Sequence, residues 1–138
     1  PEIWREFIKP NEKKYAEKIH GYGMLYIHHS CGYIRQIIPD LIEIGVDAIE
    51  PMMVNNNLDE CLEQYGDQIT FMGGIDNQMI DRTETTEEEI RAEVRRAIDA
   101  YAKKGRYLPY YIPTMEKKWF IYMDEVNKYG RTVNPSEK

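Results

Sequence analysis

The sequence predicts an α/β fold in which four parallel strands alternate with helices. The first observation is a set of four short apolar runs of strand length, near residues 24–29, 48–52, 69–74 and 106–110. The second is that a segment with helical spacing of apolar residues follows each run, and another precedes the first run. Repeated strand and helix units of this kind are typical of a parallel sheet built from right-handed crossovers. We therefore expect one parallel sheet with helices on its outer face.

The first helices are predicted from spacing and end signals. A helix over residues 10–20 should end at Gly21, because glycine readily adopts the backbone conformation that closes a helix. Apolar residues next recur at helical spacing through 34–42. Pro39 has no amide proton, so we place it at the first position of a helix that follows a short helical turn. After the second strand, Cys61 lies on an apolar helical face, where a buried free thiol is expected.

The strongest helix signal follows the third strand. Thr86 and Glu89 have the spacing of a capping box, and Gly105 provides the stop. A last helix is predicted after the fourth strand. Four of its residues are expected to face inward: Trp119, Phe120, Met123 and Val126.

Strand alternation predicts which side chains face the helices. Neighbouring side chains of a strand point to opposite faces, so His28 should face the helical layer and His29 the other side. The inner face of the sheet, away from the helices, is expected to be apolar. The residues assigned to it are Leu25, Ile27, Ile49 and Phe71.

Composition and charge exclude several classes of function. The 138 residues are 42% hydrophobic and carry a formal net charge of -6, which fits one globular domain and disfavours a nucleic-acid partner, because binding phosphates requires an excess of Lys and Arg. No apolar run approaches the ~20 residues of a membrane span, and the first residues lack the order of a signal peptide. We therefore expect a cytoplasmic protein without a membrane partner, whose cysteines Cys31 and Cys61 are reduced.

Polar residues follow the carboxyl ends of the predicted strands. In a (β/α)8 barrel this end carries the active site, because the loops there converge on one mouth. Metal binding, thiol chemistry and a hydrogen-bonded polar pair are the open explanations for His29 and Cys31, and carboxylates at strand ends can also anchor loops. The catalytic candidates are Glu50, Asp76, Tyr110 and Tyr111, and the candidate metal ligands are His29 and Cys31.

Longer segments resemble the uroporphyrinogen decarboxylase superfamily. They are HHSCGYIRQIIPDLIEIGVDAIEP, YGDQITFMGGIDNQ, TTEEEIRAEVRRAIDA and MDEVNKYGR, and the opening PEIWREFIKP is similar to the family's segment before the fifth strand. The resemblance covers nearly the whole chain. It implies that residues 1–138 form the C-terminal half of a (β/α)8 TIM barrel and that the N-terminal half is missing. Such a chain is expected to form a homo-oligomer or to pair with the missing half, because its sheet edges would otherwise stay open.

One branch of this family consists of zinc-dependent methyltransferases that work with methylated corrinoids. Its His-x-Cys pair after the fifth strand supplies two zinc ligands, and His29 and Cys31 match this pair. The branch's third ligand, a cysteine at the end of the eighth strand, has no counterpart in YLPYYIP, so Glu50 or Asp76 is considered as an oxygen donor in its place. This resemblance implies methyl transfer from a methylcorrinoid co-substrate, with a corrinoid protein as partner, to a small-molecule thiol.

The cofactor-free porphyrinogen decarboxylases are the alternative branch. They place a functional histidine after the eighth strand, where this chain has Tyr110 and Tyr111. A tyrosine donates a proton near neutral pH less readily than a histidine. The third reading is a catalytically silent fragment or interaction module. Under either enzymatic reading, the intact protein is a methyltransferase or a lyase, and this chain alone is expected to be inactive.

Overall fold

A four-stranded parallel sheet forms the centre of the structure, a computed structural model that describes residues 1–112 and 114–133. The strands are β1 (Ile27–His29), β2 (Ala48–Met52), β3 (Thr70–Gly74) and β4 (Tyr107–Tyr110), and they lie side by side in chain order. Each neighbouring pair is parallel. The predicted α/β fold is confirmed, and it is consistent with part of a TIM barrel.

Seven helices surround or connect the strands within the described residues. They are α1 (Glu2–Phe7), α2 (Lys9–His20), α3 (Ile38–Glu43), α4 (Leu58–Tyr65), α5 (Asn77–Ile80), α6 (Glu87–Tyr101) and α7 (Glu116–Val133). The capping box predicted at Thr86 and Glu89 begins α6, and the predicted turn before Pro39 is a 3-10 turn over Arg35–Ile37. Within the described ranges, no helix combines the length and apolar character required to cross a bilayer.

The main core lies between the sheet and the helices, and it corrects the predicted inner face. Phe71 and Ile49 are 0% exposed and pack against α3 and α4 residues such as Leu41 and Leu62. They are register neighbours of each other, and His28 is the next neighbour in the same row, so all three point to the helical side. The prediction for His28 is thus confirmed. The prediction that Ile49 and Phe71 face away from the helices is wrong, because it follows from their apolarity alone and ignores the register of the strands.

Leu25 and Ile27 lie outside this core. Ile27 is a register neighbour of Ala48 and shares its face of the sheet with His29, the face without helices. Both Leu25 and Ile27 are exposed. The open face therefore begins with apolar side chains on β1 and becomes polar at the strand ends.

A second core lies between α6, α7 and the segment after β4, and it corrects part of the predicted face of α7. Met123 and Val126 pack against this core as predicted, whereas Phe120 is 63% and Trp119 37% exposed. The most buried positions of α7 are Lys118, Tyr122 and Glu125 instead. Glu125 carries ion pairs to arginines of α6, so the packing face of α7 includes charged residues that an apolar pattern does not reveal.

Charged and polar contacts attach α1 and α2 to the rest of the fold. Asp40 of α3 accepts hydrogen bonds from Arg5 Nε at 2.9 Å and from Lys9 Nζ at 2.8 Å. At the far end, His20 Nε2 lies 2.8 Å from the Asp47 carboxylate. Within these two helices the only buried residue is Ala16. The helical pair is therefore held more by charge than by apolar packing.

Replacing Asp40 with Asn should lower the free energy of unfolding by about 1–2 kcal/mol at neutral pH. Burial would raise the pKa of Asp40, but the hydrogen bonds and charges of Lys9 and Arg5 outweigh burial and hold this pKa below its ordinary value. Such a carboxylate stabilises the fold above its unfolded pKa, and the contribution is lost as pH falls through the lower folded-state pKa. In urea unfolding, the free energies of unfolding of the unchanged protein and of Asp40→Asn should thus become equal as pH falls below about 4.

Glu43→Gln is the matched control, because Glu43 also pairs with Lys9 but its side chain is 70% exposed. Its effect should stay below about 0.5 kcal/mol at neutral pH. An Asp40→Asn effect as small as this control would contradict the assigned role of Asp40.

The outer strands of the sheet leave pairing groups and apolar side chains accessible. Within the part of the chain that the structure describes, no strand pairs with the outer edge of β1 or of β4. On the open face, Ile27 of β1 is 49% exposed and Leu108 of β4 is 50% exposed. Open strand edges and contiguous apolar surface both favour association.

The chain is therefore expected to associate at micromolar concentration, which sedimentation equilibrium would measure. Leu108→Lys should shift the equilibrium towards monomer, because it places a charge on the open face. Ile3→Lys should not, because Ile3 is also exposed but belongs to α1 and not to the sheet. A stable monomer with cooperative unfolding at every concentration would rule out this use of the open face.

Candidate functional site

The carboxyl ends of β1 and β2 bring together three of the predicted site residues. His29 and Glu50 are register neighbours on adjacent parallel strands, and His29 Nδ1 lies 2.6 Å from Glu50 Oε1. Cys31 follows the end of β1, and its Sγ lies 3.4 Å from His29 Nε2. The His29 side chain is 62% exposed and the Glu50 side chain 14% exposed. The thiol and the imidazole thus face solvent, while the carboxylate lies behind them.

The chemistry of these groups orients the imidazole. An ionised carboxylate only accepts hydrogen bonds, so Nδ1 of His29 is the donor to Glu50. In the neutral imidazole, Nε2 then carries the lone pair and faces the sulfur of Cys31. The arrangement therefore places an imidazole nitrogen and a thiol sulfur side by side at the surface.

Tyr110 joins this group from the far side of the sheet. It is the last residue of β4, and its pKa is raised, first by burial and then by the negative charge of Glu50 and a hydrogen bond to it. A phenol with a raised pKa remains protonated at neutral pH and acts as a hydrogen-bond donor. Glu50 therefore interacts with both outer strands, through a hydrogen bond with His29 and through its charge at Tyr110.

The spacing of His29 and Cys31 fits two ligands of one tetrahedral zinc ion. Zn–S and Zn–N bonds of about 2.3 and 2.1 Å at a tetrahedral angle separate the two donor atoms by about 3.6 Å, close to the observed 3.4 Å. A carboxylate on the second ring nitrogen, as Glu50 provides, is the usual outer partner of a metal-bound histidine. Among the described residues, no group of three or more His, Cys, Asp or Glu side chains converges for metal binding.

The structure places Asp76 at a different part of the mouth. Its Oδ1 accepts a hydrogen bond from the Met79 amide at 3.0 Å and so caps α5. Its own amide donates to Glu93 Oε1 of α6 at 2.7 Å. Asp76 anchors the loop after β3 and also lines the cavity described below.

Tyr111 points away from the mouth. It is 1% exposed and packs edge-on against Tyr122 of α7. Its hydroxyl donates to the Asp81 carboxylate. Tyr110 and Tyr111 therefore separate, one to the strand-end site and the other to the helical core, as alternation along an extended chain requires.

Asn56 is a positioning residue that sequence reasoning missed. It is 0% exposed, and its Oδ1 accepts the Ile34 amide while its Nδ2 donates to the Gly32 carbonyl, both at 2.8 Å. These bonds fix the loop that carries Cys31. The residue lies in the middle of a run of three asparagines, and such a run gives no signal that only one of them is buried.

Cys61 supports this loop from below and does not reach the site. Its thiol is buried and donates to the Asn56 carbonyl at 3.4 Å. Burial raises the pKa of this thiol, which keeps it protonated and unreactive. Cys31, in contrast, is exposed.

A cavity of about 210 Å³ opens beside the site at the carboxyl ends of β2, β3 and β4, and we call it the strand-end cavity. Tyr110 forms the wall between the cavity and Glu50. Gly73 keeps β2 and β3 close at its base, because a Cβ there would lie 2.5 Å from the Met52 backbone. Other lining residues used below are Met52, Met53, Ile75, Asn55, Asn77 and Gln78.

Comparison with known protein families identifies the class to which this fold and site belong. The family described as uroporphyrinogen decarboxylase (URO-D) matches residues 1–109. The match covers most of the chain, from α1 through β3 and nearly to the end of β4. The chain therefore belongs to the uroporphyrinogen decarboxylase family. A comparison with curated proteins found no match.

Replacing Asn56 with Ala should lower the free energy of unfolding by about 2–4 kcal/mol, because it leaves the Ile34 amide and the Gly32 carbonyl without their partner. Asn55→Ala, at an exposed neighbouring position, should change it by less than about 0.5 kcal/mol. Urea unfolding of both variants measures the difference. Equal stabilities would contradict the assigned role of Asn56 in holding the loop.

Proposed function

We propose that this chain supplies the thiol-activating part of a corrinoid-linked methyltransferase, which moves a methyl group to a small-molecule thiol. One observation carries the proposal: His29 Nε2 and Cys31 Sγ lie 3.4 Å apart at the mouth, with Glu50 on the other ring nitrogen. This is the spacing and outer support that a zinc ion requires of a His and Cys pair. Membership of the uroporphyrinogen decarboxylase family is compatible with it.

Each residue of the site has a defined task under this proposal. His29 and Cys31 hold zinc through Nε2 and Sγ. Glu50 accepts the Nδ1 proton of His29, which fixes the ring and keeps Nε2 unprotonated. Tyr110, whose pKa is raised by burial and then by the charge of Glu50, stays protonated beside this carboxylate. Zinc, when bound, lowers the pKa of a coordinated thiol and leaves it as a thiolate.

The reaction balances with a methylcorrinoid as co-substrate, delivered by a corrinoid protein. The acceptor thiol first loses its proton to solvent. The thiolate sulfur then forms a bond to the methyl carbon while the cobalt–carbon bond breaks, and cobalt keeps the electron pair. The protein binds and orients the thiol, and the nucleophile is the acceptor sulfur itself.

Porphyrinogen decarboxylation is the alternative, and the description of the matching family favours it. Two observations weigh against it. Tyr110 has a raised pKa and is a weak proton donor near neutral pH, and the strand-end cavity has no Lys or Arg among its described lining residues to pair with a substrate carboxylate. A decarboxylase would need no metal, so zinc content separates the two readings. A protein with neither activity would fit the silent interaction module.

The intact protein should contain stoichiometric zinc after purification without chelator, measured by elemental analysis. Cys31→Ser should abolish this zinc, because a hydroxyl replaces the thiolate that binds the metal. Zinc-bound protein should also methylate a thiol such as 2-mercaptoethanol with methylcobalamin, and Cys31→Ser should lose that activity.

Cys61→Ala is the matched control, because Cys61 is the second cysteine and is buried below the site. Its zinc content should equal that of the unchanged protein. Zinc that persists in Cys31→Ser, or its absence from the unchanged protein, would overturn the metal assignment.

A further inference from the structure

We propose that the strand-end cavity binds a small organic ammonium ion, that is, an apolar body carrying one protonated amine. The inference does not depend on the proposed methyl transfer. His29 and Cys31 are not among the residues that line the cavity, and only Tyr110 belongs to both sites. The argument uses the charge, the walls and the size of the cavity.

The charge of the cavity favours a cation. Asp76 is its charged lining residue, and no Lys or Arg accompanies it among the described lining residues. The carboxylate accepts one backbone hydrogen bond, from Met79, and none of the ion pairs among the described residues includes it. Glu50 adds a second negative group just beyond Tyr110. An anion would be repelled here, and a cation would gain a partner that the protein does not supply.

The walls favour an apolar body attached to that cation. Met52, Met53 and Ile75 form a flexible apolar lining, and methionine side chains adapt to irregular ligand shapes. The ring of Tyr110 offers an aromatic surface to a cation.

The rim favours a protonated amine over a cation without N–H groups. Asn55, Asn77 and Gln78 are among the lining residues, together with Asp76, and the oxygen of a side-chain amide accepts hydrogen bonds from N–H donors. A volume of about 210 Å³ suits a small molecule.

Three probes that share a cyclohexane ring but differ in charge test the proposal: cyclohexylammonium, cyclohexanol and cyclohexanecarboxylate. Each is titrated into the full chain and followed by NMR through the side-chain amide signals of Asn55, Asn77 and Gln78. The ammonium probe should bind at least about tenfold more tightly than the carboxylate probe. Equal or tighter binding of the carboxylate, or no shift of these amide signals by the ammonium, would overturn the proposal.

Asp76→Asn isolates the charge, because an asparagine oxygen can still accept the Met79 amide and cap α5. Ammonium binding should weaken about tenfold while cyclohexanol binding stays unchanged. Asp67→Asn, an identical charge change at an exposed residue before β3, should affect neither. Ammonium affinity that is equal in Asp76→Asn and in the unchanged chain would overturn the proposal.

Cys31→Ser and treatment with chelator separate this inference from the metal assignment. Both should leave ammonium binding unchanged, because neither Cys31 nor His29 lines the cavity. A failure of zinc binding therefore leaves the cavity proposal standing. A loss of ammonium binding in Cys31→Ser would show that the two sites are one and would overturn it.

Discussion

The parallel pairing of β1 with β2 is the constraint on which the site depends. It places His29 directly opposite Glu50, so that a hydrogen bond of 2.6 Å joins the two strand ends. Parallel strands end at the same edge of a sheet, and their last side chains converge without any loop to bring them together. A shift of one residue in this pairing would turn one of the two side chains to the helical layer. The orientation of His29 towards Cys31 follows from that register.

The same alternation divides the chemistry of each strand between two environments. His28 is buried on the helical side, whereas His29 faces solvent on the open side. Tyr110 and Tyr111 separate in the same way at the other end of the sheet. The apolar core therefore lies on one side of the strands, and the polar groups of the strand ends collect on the other. This division lets a small sheet carry an exposed reactive pair without breaking its core.

Most of the fold could be predicted from the sequence, because strand runs, the capping box at Thr86 and the helix stops are local signals. The side of the sheet on which Ile49 and Phe71 pack could not, since it depends on register between strands. The face of α7 is predicted only in part for a related reason: its contact with α6 uses the buried carboxylate of Glu125. Apolar periodicity does not detect a charged residue that is buried against an arginine.

The site was less predictable than the fold. The motif at His29 and Cys31 marks a position, and the alternation of strands and helices places Glu50 at the same edge. The role of Glu50 as the partner of His29 Nδ1 depends on side-chain geometry. Asn56 had no signal, because its function is to satisfy backbone groups of a loop that is distant in sequence.

The hydrogen bond from the Asp76 amide to Glu93 makes the loop after β3 sensitive to substitutions in α6. Glu93 belongs to α6, on the far side of the sheet, and is itself paired with Arg96, which donates to the Gly74 carbonyl. Two residues of a helix thus fix the exit path of β3. A substitution of Glu93 or Arg96 would alter the position of the loop that carries Asp76, although neither residue lines the cavity. The back of the sheet therefore helps to set the geometry of the mouth, and surface-exposed Arg96 belongs to the supporting structure of the site.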